Sequence, residues 1–300
     1  MRISDKYRFY LILIGEFFIA PLLIPYNYYK WRFGKCKKTF INNKERKPVA
    51  SDKISVSIHE WGGYDSVRRK KINKIMEFEC GLKFQQQRFG RYSGNRNLDI
   101  CITISNPELL SYSLNADKII HVPNEGMDFA GYSGFFERIK DEDNQYIILT
   151  NSSVNSRQID FIDEYIAYME ANPSVGLLGI SYNTKRHQTL IRNNFNPHIQ
   201  SFFILTTLDV LKEIVKKNGG FPGLGITHKL LLIRNGEIRF SNLALELGYD
   251  LACILDNGIV YKFNKSFKSD NGRNSWEIPK GDYRLHTLTP NAINFIKTNG

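Results

Sequence analysis

Residues 54 to 180 alternate between short apolar runs rich in β-branched residues and longer stretches with helical periodicity. The runs predict strands and the stretches between them predict helices. Near-continuous apolar strands linked by helices favour an α/β fold with a mostly parallel, Rossmann-like sheet covered on both faces. The predicted strands are Ile54–Ile58, Ile100–Ile104, Lys118–Val122, Tyr146–Thr150 and Val175–Ile180, and the predicted helices are Ser66–Glu79, Phe129–Lys140 and Arg157–Ala171.

The second half of the chain is less regular. It predicts a strand near Gln200–Leu205 and helices near Leu208–Lys217 and Ser241–Leu247. A glycine-rich loop at 219–225 suits either a lid over a bound molecule or a simple connector. Residues 261–300 are polar and turn-rich, which is typical of a tail folded over a domain.

Positive charge is concentrated at the N-terminus. The chain carries a formal net charge of +11, but residues 1–50 contain eleven Lys and Arg against three acidic residues. Residues 51–300 are nearly balanced and contain no recognisable nucleic-acid module, so charge alone gives no support for a nucleic-acid partner. An anionic membrane surface, bound through residues 1–38, is the partner that this distribution favours.

The positive charge flanks an apolar run, Phe9 to Ile24. It is shorter than the ~20 residues that cross a bilayer, it contains Glu16 and Pro21, and aromatic residues interleave with the cations that follow it. We expect a re-entrant or interfacial helix, with a single span or a buried soluble helix as alternatives. Cations on both flanks place the rest of the chain on the cytoplasmic face of the plasma membrane, and no cleavage site follows the run.

These features divide the chain into an anchor at 1–34, a basic linker at 35–53 and one domain at 54–300. Within that domain, the regular alternation of strands and helices covers 54–180 and the less regular part covers 181–300. The cysteines Cys36, Cys80, Cys101 and Cys253 are scattered without a Cys-x-x-Cys pair, which indicates reduced, mostly buried thiols and gives no support for structural zinc.

Polar residues follow two of the predicted strands, where open α/β sheets bind ligands. After Val122 the chain reads Pro-Asn-Glu-Gly-Met-Asp, which offers Asn124, a close backbone approach at Gly126, and Asp128 at a helix start. Asp128 suits either a ligand hydroxyl or a helix cap. After Thr150 come Asn151, Ser152 and Ser153, which suit either a phosphate or metal site or a turn that caps the next helix.

Five blocks in order carry a resemblance across the region from Val122 to Leu255: VPNEGMDFAGYSGFF, QYIILTNSSV, VGLLGISYN, NPHIQSFFILTTLDVLKEI and NGEIRFSNLALELGYDLACIL. Together they resemble a family of bacterial polysaccharide-biosynthesis glycosyltransferases and, more distantly, glycosyltransferases of the GT-A fold. The resemblance implies transfer of a sugar from a nucleotide-sugar donor to a glycan or lipid-linked acceptor during surface-polysaccharide assembly.

The resemblance also implies that 54–180 forms the nucleotide-sugar half of the domain and 181–300 the acceptor half, and it implies roles for individual residues. Donor binding falls to Asn124, Gly126, Asp128 and the Asn151 to Ser153 turn. Recognition of the sugar or acceptor falls to His198, Gln200 and Ser201, with His198 and Gln200 on one side of an extended chain. Glu237 is the first candidate for the base that deprotonates the acceptor hydroxyl and Asp128 the second, although Glu237 also suits a structural role at a helix start.

The metal site of the family is altered in this chain. Asn151 and Ser153 stand where GT-A enzymes carry an Asp-x-Asp pair, and the Gly-Pro-Phe that follows in the family is replaced by Asn-Ser-Arg. Neutral ligands suit Mg²⁺ or Mn²⁺ poorly, so metal dependence stays open. A cation-independent route needs Lys or Arg at the departing diphosphate, for which Lys185, Arg186 and Arg192 are candidates. His59, Trp61, Trp276 and His286 are further candidates that no spacing argument supports.

The missing acidic pair also supports a second hypothesis. A catalytically inactive relative that binds glycan or nucleotide within an assembly complex has the same sequence features. Nucleoside diphosphate release from a panel of nucleotide sugars separates the two hypotheses.

Overall fold

A computed structural model of the chain describes residues 4–33, 44–72, 76–114, 116, 118–156, 161–185, 195–254 and 260–263. The helices are α1 (Asp5–Phe33), α2 (Leu82–Gly90), α3 (Asp128–Ile139), α4 (Ile162–Ala171), α5 (Leu208–Asn218), α6 (Lys229–Leu232) and α7 (Arg239–Leu247). Ile233–Ile238, called the π segment below, has π-helical hydrogen bonding and joins α6 to α7. The strands are β1 (Lys53–Glu60), β2 (Arg68–Ile72), β3 (Met76–Cys80), β4 (Asn97–Ile104), β5 (Ile119–His121), β6 (Tyr146–Asn151), β7 (Val175–Gly179), β8 (Tyr182–Lys185), β9 (Phe195–Ile199), β10 (Phe203–Thr207), β11 (Asp250–Ile254) and β12 (Val260–Phe263).

One eight-stranded sheet organises the domain, in the order β12-β11-β7-β10-β6-β1-β4-β5. β1 is parallel to both of its neighbours, β4 and β6, and the pairs β4–β5 and β7–β11 are also parallel. β10 is antiparallel to β6 and β7, and β12 is antiparallel to β11. The predicted α/β class and mostly parallel sheet are therefore confirmed.

Side-chain alternation along the strands produces a hydrophobic core on each face of the sheet. Ile147 and Leu149 of β6 join a core with α3, α5 and α7, whereas Ile148 joins a core with α2 and α4. Burial on both faces explains why the central strands are apolar at nearly every position. β1 and β6 pair in register from Ile54 with Tyr146 to His59 with Asn151, and their carboxyl ends carry the candidate site.

The predicted helix Ser66–Glu79 is wrong, because β2 and β3 form an antiparallel hairpin there. Met76–Cys80 reads Met-Glu-Phe-Glu-Cys, and this alternation with a period of two is a strand pattern. The hairpin also sets a cation opposite an acid, since Arg69 pairs in register with Glu79 and Arg69 Nε lies 3.8 Å from Glu79 Oε1. Such cross-strand pairs stabilise a ribbon.

The region before β10 also differs from prediction. The strand expected at Gln200–Leu205 begins at Phe203, and an unpredicted hairpin of β8 and β9 precedes it. His198 lies within β9, paired in register with Asn183 of β8. The block Pro197 to Ser201 therefore spans the end of one strand and the turn to the next.

The helix α1 is longer than the apolar run that predicts it. Its Asp5–Tyr26 portion is 22 residues long and contains an 18-residue window with a mean hydropathy of 1.9, which is the length and composition of a membrane-associated helix. Pro21 and Pro25 lie inside it. This supports the coarser expectation of an N-terminal membrane-associated helix.

The described end of the predicted linker lies against the domain. Arg46 is buried, and its guanidinium donates to the carbonyl oxygens of Val175 and Met169. Lys44 donates to Glu213 at 2.6 Å. Residues 44–52 are therefore attached to the domain by several polar contacts, whereas residues 34–43 lie outside the described part of the chain.

Cys80, Cys101 and Cys253 are buried and form no disulfide, as predicted. Burial raises the pKa of the Cys101 thiol to about 11 and that of Cys253 well above its usual value. The thiols of Cys101 and Cys253 are therefore protonated and unreactive at neutral pH.

Candidate functional site

The candidate site lies where the chain changes direction across the sheet. From β1 the connections run outward to β4 and β5, after which the chain returns to place β6 on the other side of β1. In open α/β sheets such a switch point leaves a crevice at the carboxyl ends of the two strands. Here those ends are His59 and Asn151, which are paired in register.

Asp128 and Asn151 meet in this crevice. The Asn151 side-chain amide Nδ2 donates a 2.7 Å hydrogen bond to Asp128 Oδ2. Asn151 Oδ1 accepts a 2.9 Å hydrogen bond from the Ser153 backbone N–H, which closes the turn. The start of α3 and the end of β6 are thus in direct contact.

A strained turn positions Asp128 at the first residue of α3. Gly126 has a φ of +106°, and Met127 has a φ of 48°, which non-glycine residues adopt only at a cost. The Gly126 N–H donates to the Ile226 carbonyl at 2.9 Å, tying the turn to the second half of the domain. Asn124 is exposed at the front of this turn.

Arg68 of β2 reaches the same crevice. Its Nη2 donates to Ser152 Oγ at 3.1 Å and to Ser153 Oγ at 3.4 Å. The incorrect helix prediction hid this residue, because only the hairpin brings its guanidinium over the 151–153 turn. The strand pattern of Met76–Cys80 was the signal that could have revealed it.

Lys70, two residues further along β2, adds a second cation. Burial lowers the pKa of its ammonium group. Nearby Arg68 and Lys229 lower it further, whereas Cys80 and Asp128 act to raise it. Alternate residues of a strand share a face. Arg68 and Lys70 therefore form a cationic face of the hairpin within electrostatic range of Asp128.

Four buried polar atoms, on Arg68, on Glu60 and on two residues near them, lack a hydrogen-bond partner in the part of the chain that the structure describes. They are Glu60 Oε2, Arg68 Nη1, Ser105 Oγ and Tyr112 Oη. Glu60 lies at the end of β1 with its other oxygen, Oε1, 4.0 Å from Arg68 Nη1. Buried polar groups are nearly always satisfied, so these open donors and acceptors mark a candidate ligand subsite.

Two aromatic side chains stand at the edge of this subsite. Trp61 and Tyr64 are partly exposed, with ring centroids 4.8 Å apart. The Arg68 guanidinium lies 3.8 Å from the Tyr64 ring centroid, in cation–π geometry. Exposed rings beside buried polar groups suit a ligand with one flat face and several hydroxyls.

His59, a sequence candidate without a spacing argument, lies beneath the crevice. Its Nδ1 is 3.1 Å from Thr103 Oγ1, and a side chain at Gly131 of α3 would collide with both groups. Burial lowers the pKa of His59, against the opposing effect of nearby Asp128 and Glu60. His59 is therefore a neutral support for the crevice at neutral pH.

Glu237 is held by internal hydrogen bonds. Its Oε1 is 3.5 Å from His198 Nε2, and its Oε2 accepts a 2.8 Å hydrogen bond from the Ser201 N–H. Burial raises the pKa of this carboxyl, but the hydrogen bonds from His198 and Ser201 outweigh it and the net shift is downward. Glu237 is thus an ionised, buried group in the π segment.

The other residues of the Pro-His-x-Gln-Ser block join the same network. Gln200 Oε1 accepts a 2.6 Å hydrogen bond from the Ser181 hydroxyl. Tyr132 of α3 donates to the Ser201 carbonyl at 2.7 Å. Tyr132 follows Asp128 by one helical turn, so this hydrogen bond joins the Asp128 helix to the Glu237 network.

The remaining candidates are less informative. The backbone of Lys185 lies in β8, and its side chain is not among those described. Arg186, Arg192, Trp276 and His286 lie outside the described residues. The loop 219–225 is packed rather than free, since Phe221 is buried and Gly223 sits tightly against Phe129 and Gly236. Its packing agrees with the connector alternative.

The residues at the predicted metal position fit a divalent cation poorly. Both polar atoms of Asn151 are used within the protein, and the hydroxyls of Ser152 and Ser153 receive hydrogen bonds from a guanidinium. Within the described ranges, no three His, Cys, Asp or Glu side chains gather as a metal-binding group. A divalent cation prefers hard anionic oxygens, whereas this position already holds Arg68.

In comparisons with known proteins, no family model matches this chain and no curated protein matches it.

Proposed function

We propose that this protein is a glycosyltransferase that uses a nucleotide-sugar donor, with the donor bound at the carboxyl ends of β1, β4 and β6. The observation that carries the proposal is the convergence of Asp128 and Arg68 on the Asn151 to Ser153 turn. This places the Asp128 carboxylate and the Arg68 guanidinium in one crevice. A sugar diphosphate needs both, a carboxylate for its hydroxyls and a guanidinium for its phosphates.

The diphosphate fits the cationic side of the crevice. Arg68 has a buried Nη1 without a hydrogen-bond partner among the described residues, and it approaches Ser152 and Ser153 through Nη2. A guanidinium binds phosphate oxygens in bidentate geometry and stabilises the charge that develops on a departing diphosphate. In this proposal Arg68, with Lys70 nearby, supplies the positive charge that the neutral Asn-Ser-Ser turn lacks.

The nucleoside fits the adjoining subsite. Glu60 is a buried acceptor, and the hydroxyls of Ser105 and Tyr112 are open. The partly exposed rings of Trp61 and Tyr64 offer a surface for stacking a base. A nucleoside is complementary to this subsite, since its ribose hydroxyls can pair with the polar atoms and its flat base can stack on the rings.

Asp128 is the better placed of the two candidate bases. It is partly exposed beside the turn, and Asn151 holds its carboxylate in one orientation. Both oxygens of Glu237 instead face groups of the protein, His198 and Ser201. We assign deprotonation of the acceptor hydroxyl to Asp128 and a positioning role to Glu237, which orders the Ser201 turn.

The acceptor and the cellular setting follow from the sequence resemblance and the N-terminal helix. A glycan or lipid-linked acceptor on the cytoplasmic face of the plasma membrane, in surface-polysaccharide biosynthesis, is the setting that they support. The apolar α1 helix is consistent with it.

A second candidate function is a catalytically inactive protein that binds nucleotide or glycan. The observation that favours it is the internal pairing of Glu237, the first candidate base. In that case the crevice still binds nucleotide, but no sugar is transferred.

One experiment tests both candidates. The purified full-length protein is incubated with a panel of nucleotide sugars, with and without Mn²⁺, and nucleoside diphosphate release is measured. We expect release from one donor without a requirement for Mn²⁺, abolished in Asp128→Asn while that variant still binds the matching nucleoside diphosphate, which lacks the sugar that Asp128 contacts. Donor binding without release supports the inactive relative, and the absence of any nucleotide binding overturns both.

A further inference from the structure

A single stripe of α1 is attached to the domain. Asp5 Oδ2 accepts a 2.7 Å hydrogen bond from the Thr227 N–H, and the Phe9 ring lies 4.9 Å from that of His228. One Glu16 oxygen, Oε1, is 3.0 Å from Arg234 Nη2, with both side chains largely buried. Asp5, Phe9 and Glu16 follow helical spacing and so define one face.

The polar residue inside the apolar run is therefore explained by its contact with the domain. Glu16 is directed toward Arg234 of the π segment, and the Arg234 guanidinium also lies 5.4 Å from the Phe9 ring centroid. A buried charge requires such pairing. Because Glu16 pairs with Arg234, its charge does not oppose contact between lipid and the opposite face of α1.

The opposite face of α1 is strongly apolar and exposed. Tyr7, Leu11, Phe18 and Leu22 are 67%, 55%, 72% and 76% exposed, and their spacing places them on one side of the helix. Further exposed apolar residues extend this surface: Tyr10, Ile14, Phe17, Ile19, Tyr26 and Tyr29. A continuous apolar surface of this kind marks a site of membrane or protein contact.

Charge decides between those two occupants. Lys6 and Arg8 are exposed on α1, and Lys30 and Arg32 followed by three lysines at 35, 37 and 38 come at and after its end. Both acids of α1, Asp5 and Glu16, are directed at groups of the protein. Exposed apolar and aromatic residues combined with exposed cations fit an anionic lipid surface.

The attachment also decides how α1 meets the bilayer. Contacts from Asp5 to Glu16 extend along roughly 16 Å of helix at 1.5 Å per residue. A transmembrane orientation of α1 would carry Thr227, His228 and Arg234 into the hydrocarbon, where polar groups are costly. Pro21 and Pro25 add to that cost, because each removes an N–H from the helix and leaves a carbonyl open.

We infer that α1 lies flat in the headgroup region of an anionic bilayer, with the stripe Asp5, Phe9 and Glu16 on the domain and the Tyr7, Leu11, Phe18 and Leu22 face in lipid. This membrane contact does not depend on the proposed catalytic function. It places the π segment and the Thr227 loop next to the membrane surface.

Binding is tested with the full-length protein and sedimented vesicles. We expect cosedimentation with vesicles of phosphatidylglycerol and phosphatidylcholine, at least ~10-fold weaker binding to phosphatidylcholine alone, and loss of binding in the double variant Phe18→Glu and Leu22→Glu. Leu109→Glu and Leu224→Glu change exposed apolar residues elsewhere and serve as matched controls. Retained binding by the α1 double variant overturns the inference.

The orientation of α1 is tested with spin labels. In a Cys36→Ser variant, a single cysteine is introduced at position 7, 11, 18 or 22 and labelled. Collision with oxygen and with a water-soluble nickel complex reports the depth of each label. A flat helix gives four similar, shallow depths. Depths that rise to the bilayer centre and fall again along α1 indicate a spanning helix and overturn the inference.

Discussion

Asn151 ends β6 and Asp128 begins α3, yet their side chains are joined by a 2.7 Å hydrogen bond. The contact places a carboxylate at the switch point of the sheet, where an α/β fold binds ligands. Arg68 reaches the same turn from a hairpin outside the main sheet. The proposed donor site depends on this convergence.

Arg68→Ala should weaken nucleoside diphosphate binding strongly. Loss of a guanidinium from a desolvated charge pair costs about 2–5 kcal/mol, which corresponds to ~30-fold or more in Kd. Arg68→Lys should recover only part of the affinity, since an ammonium cannot form bidentate contacts. Calorimetric titration measures both. The matched control is Arg69→Ala, whose side chain is 72% exposed on the same hairpin, and an equal loss there would contradict the assignment.

Gly126→Ala should destabilise the domain and disturb the Asp128 turn. The φ of +106° is unfavourable for alanine, and its Cβ would lie 3.2 Å from the Gly223 carbonyl oxygen. We expect a loss of about 1–2 kcal/mol in the free energy of unfolding, measured by urea denaturation. Gly90→Ala, at a helix end with open space around it, should be close to neutral. Equal stability of the two variants would show that the turn is not constrained.

Glu237 should contribute acid-sensitive stability. Because its folded pKa is lowered from 4.5, the contribution is present above that pH and is lost as the pH falls through the folded pKa. Glu237→Gln should therefore be less stable than the native chain at pH 7, and the difference should shrink below pH 4.5. Unfolding curves at several pH values measure this. A difference that stays constant with pH would exclude the ionised network with His198 and Ser201.

The Glu16–Arg234 pair should contribute to folding as well as to anchor placement. Replacing Glu16 by Ala deprives a buried guanidinium of this carboxylate, and breaking such pairs costs about 3–5 kcal/mol. Glu16→Ala should lower the thermal midpoint in detergent, whereas the exposed Glu137→Ala should not. Unchanged stability would mean that α1 is not attached to the π segment.

The buried thiols should resist modification. In a Cys36→Ser variant, Cys80, Cys101 and Cys253 should not react with an aromatic disulfide reagent until the protein is unfolded, because all three are buried. Spectrophotometric thiol counting before and after denaturation tests this. Rapid reaction in the native state would contradict their burial.

Much of the sheet could be predicted from the sequence because its strands are buried on both faces. Ile54–Ile58 and Tyr146–Thr150 are apolar at nearly every position, and their meeting at one edge follows from the parallel order. The contact between Asp128 and Asn151 was therefore foreseeable. Their chemical roles stay predictions.

The hairpin Arg68–Cys80 could not be read in the same way. Charged residues dominate it, and its opposite-charge pairing appears only when β2 and β3 are aligned. The incorrect helix there concealed Arg68 and Lys70. The internal pairing of Glu237 was also out of reach, because it depends on β9 turning back so that Ser201 faces the π segment.

Calorimetric titration of the full-length protein with nucleoside diphosphates, without divalent cation, tests whether the crevice between β1 and β6 is a donor site. We expect at least one nucleoside diphosphate to bind with micromolar affinity and the matching nucleoside to bind much more weakly. Arg68→Ala should lose the binding of the nucleoside diphosphate. If no nucleoside diphosphate binds, or if Arg68→Ala binds as tightly as the native chain, the crevice between β1 and β6 is not a donor site.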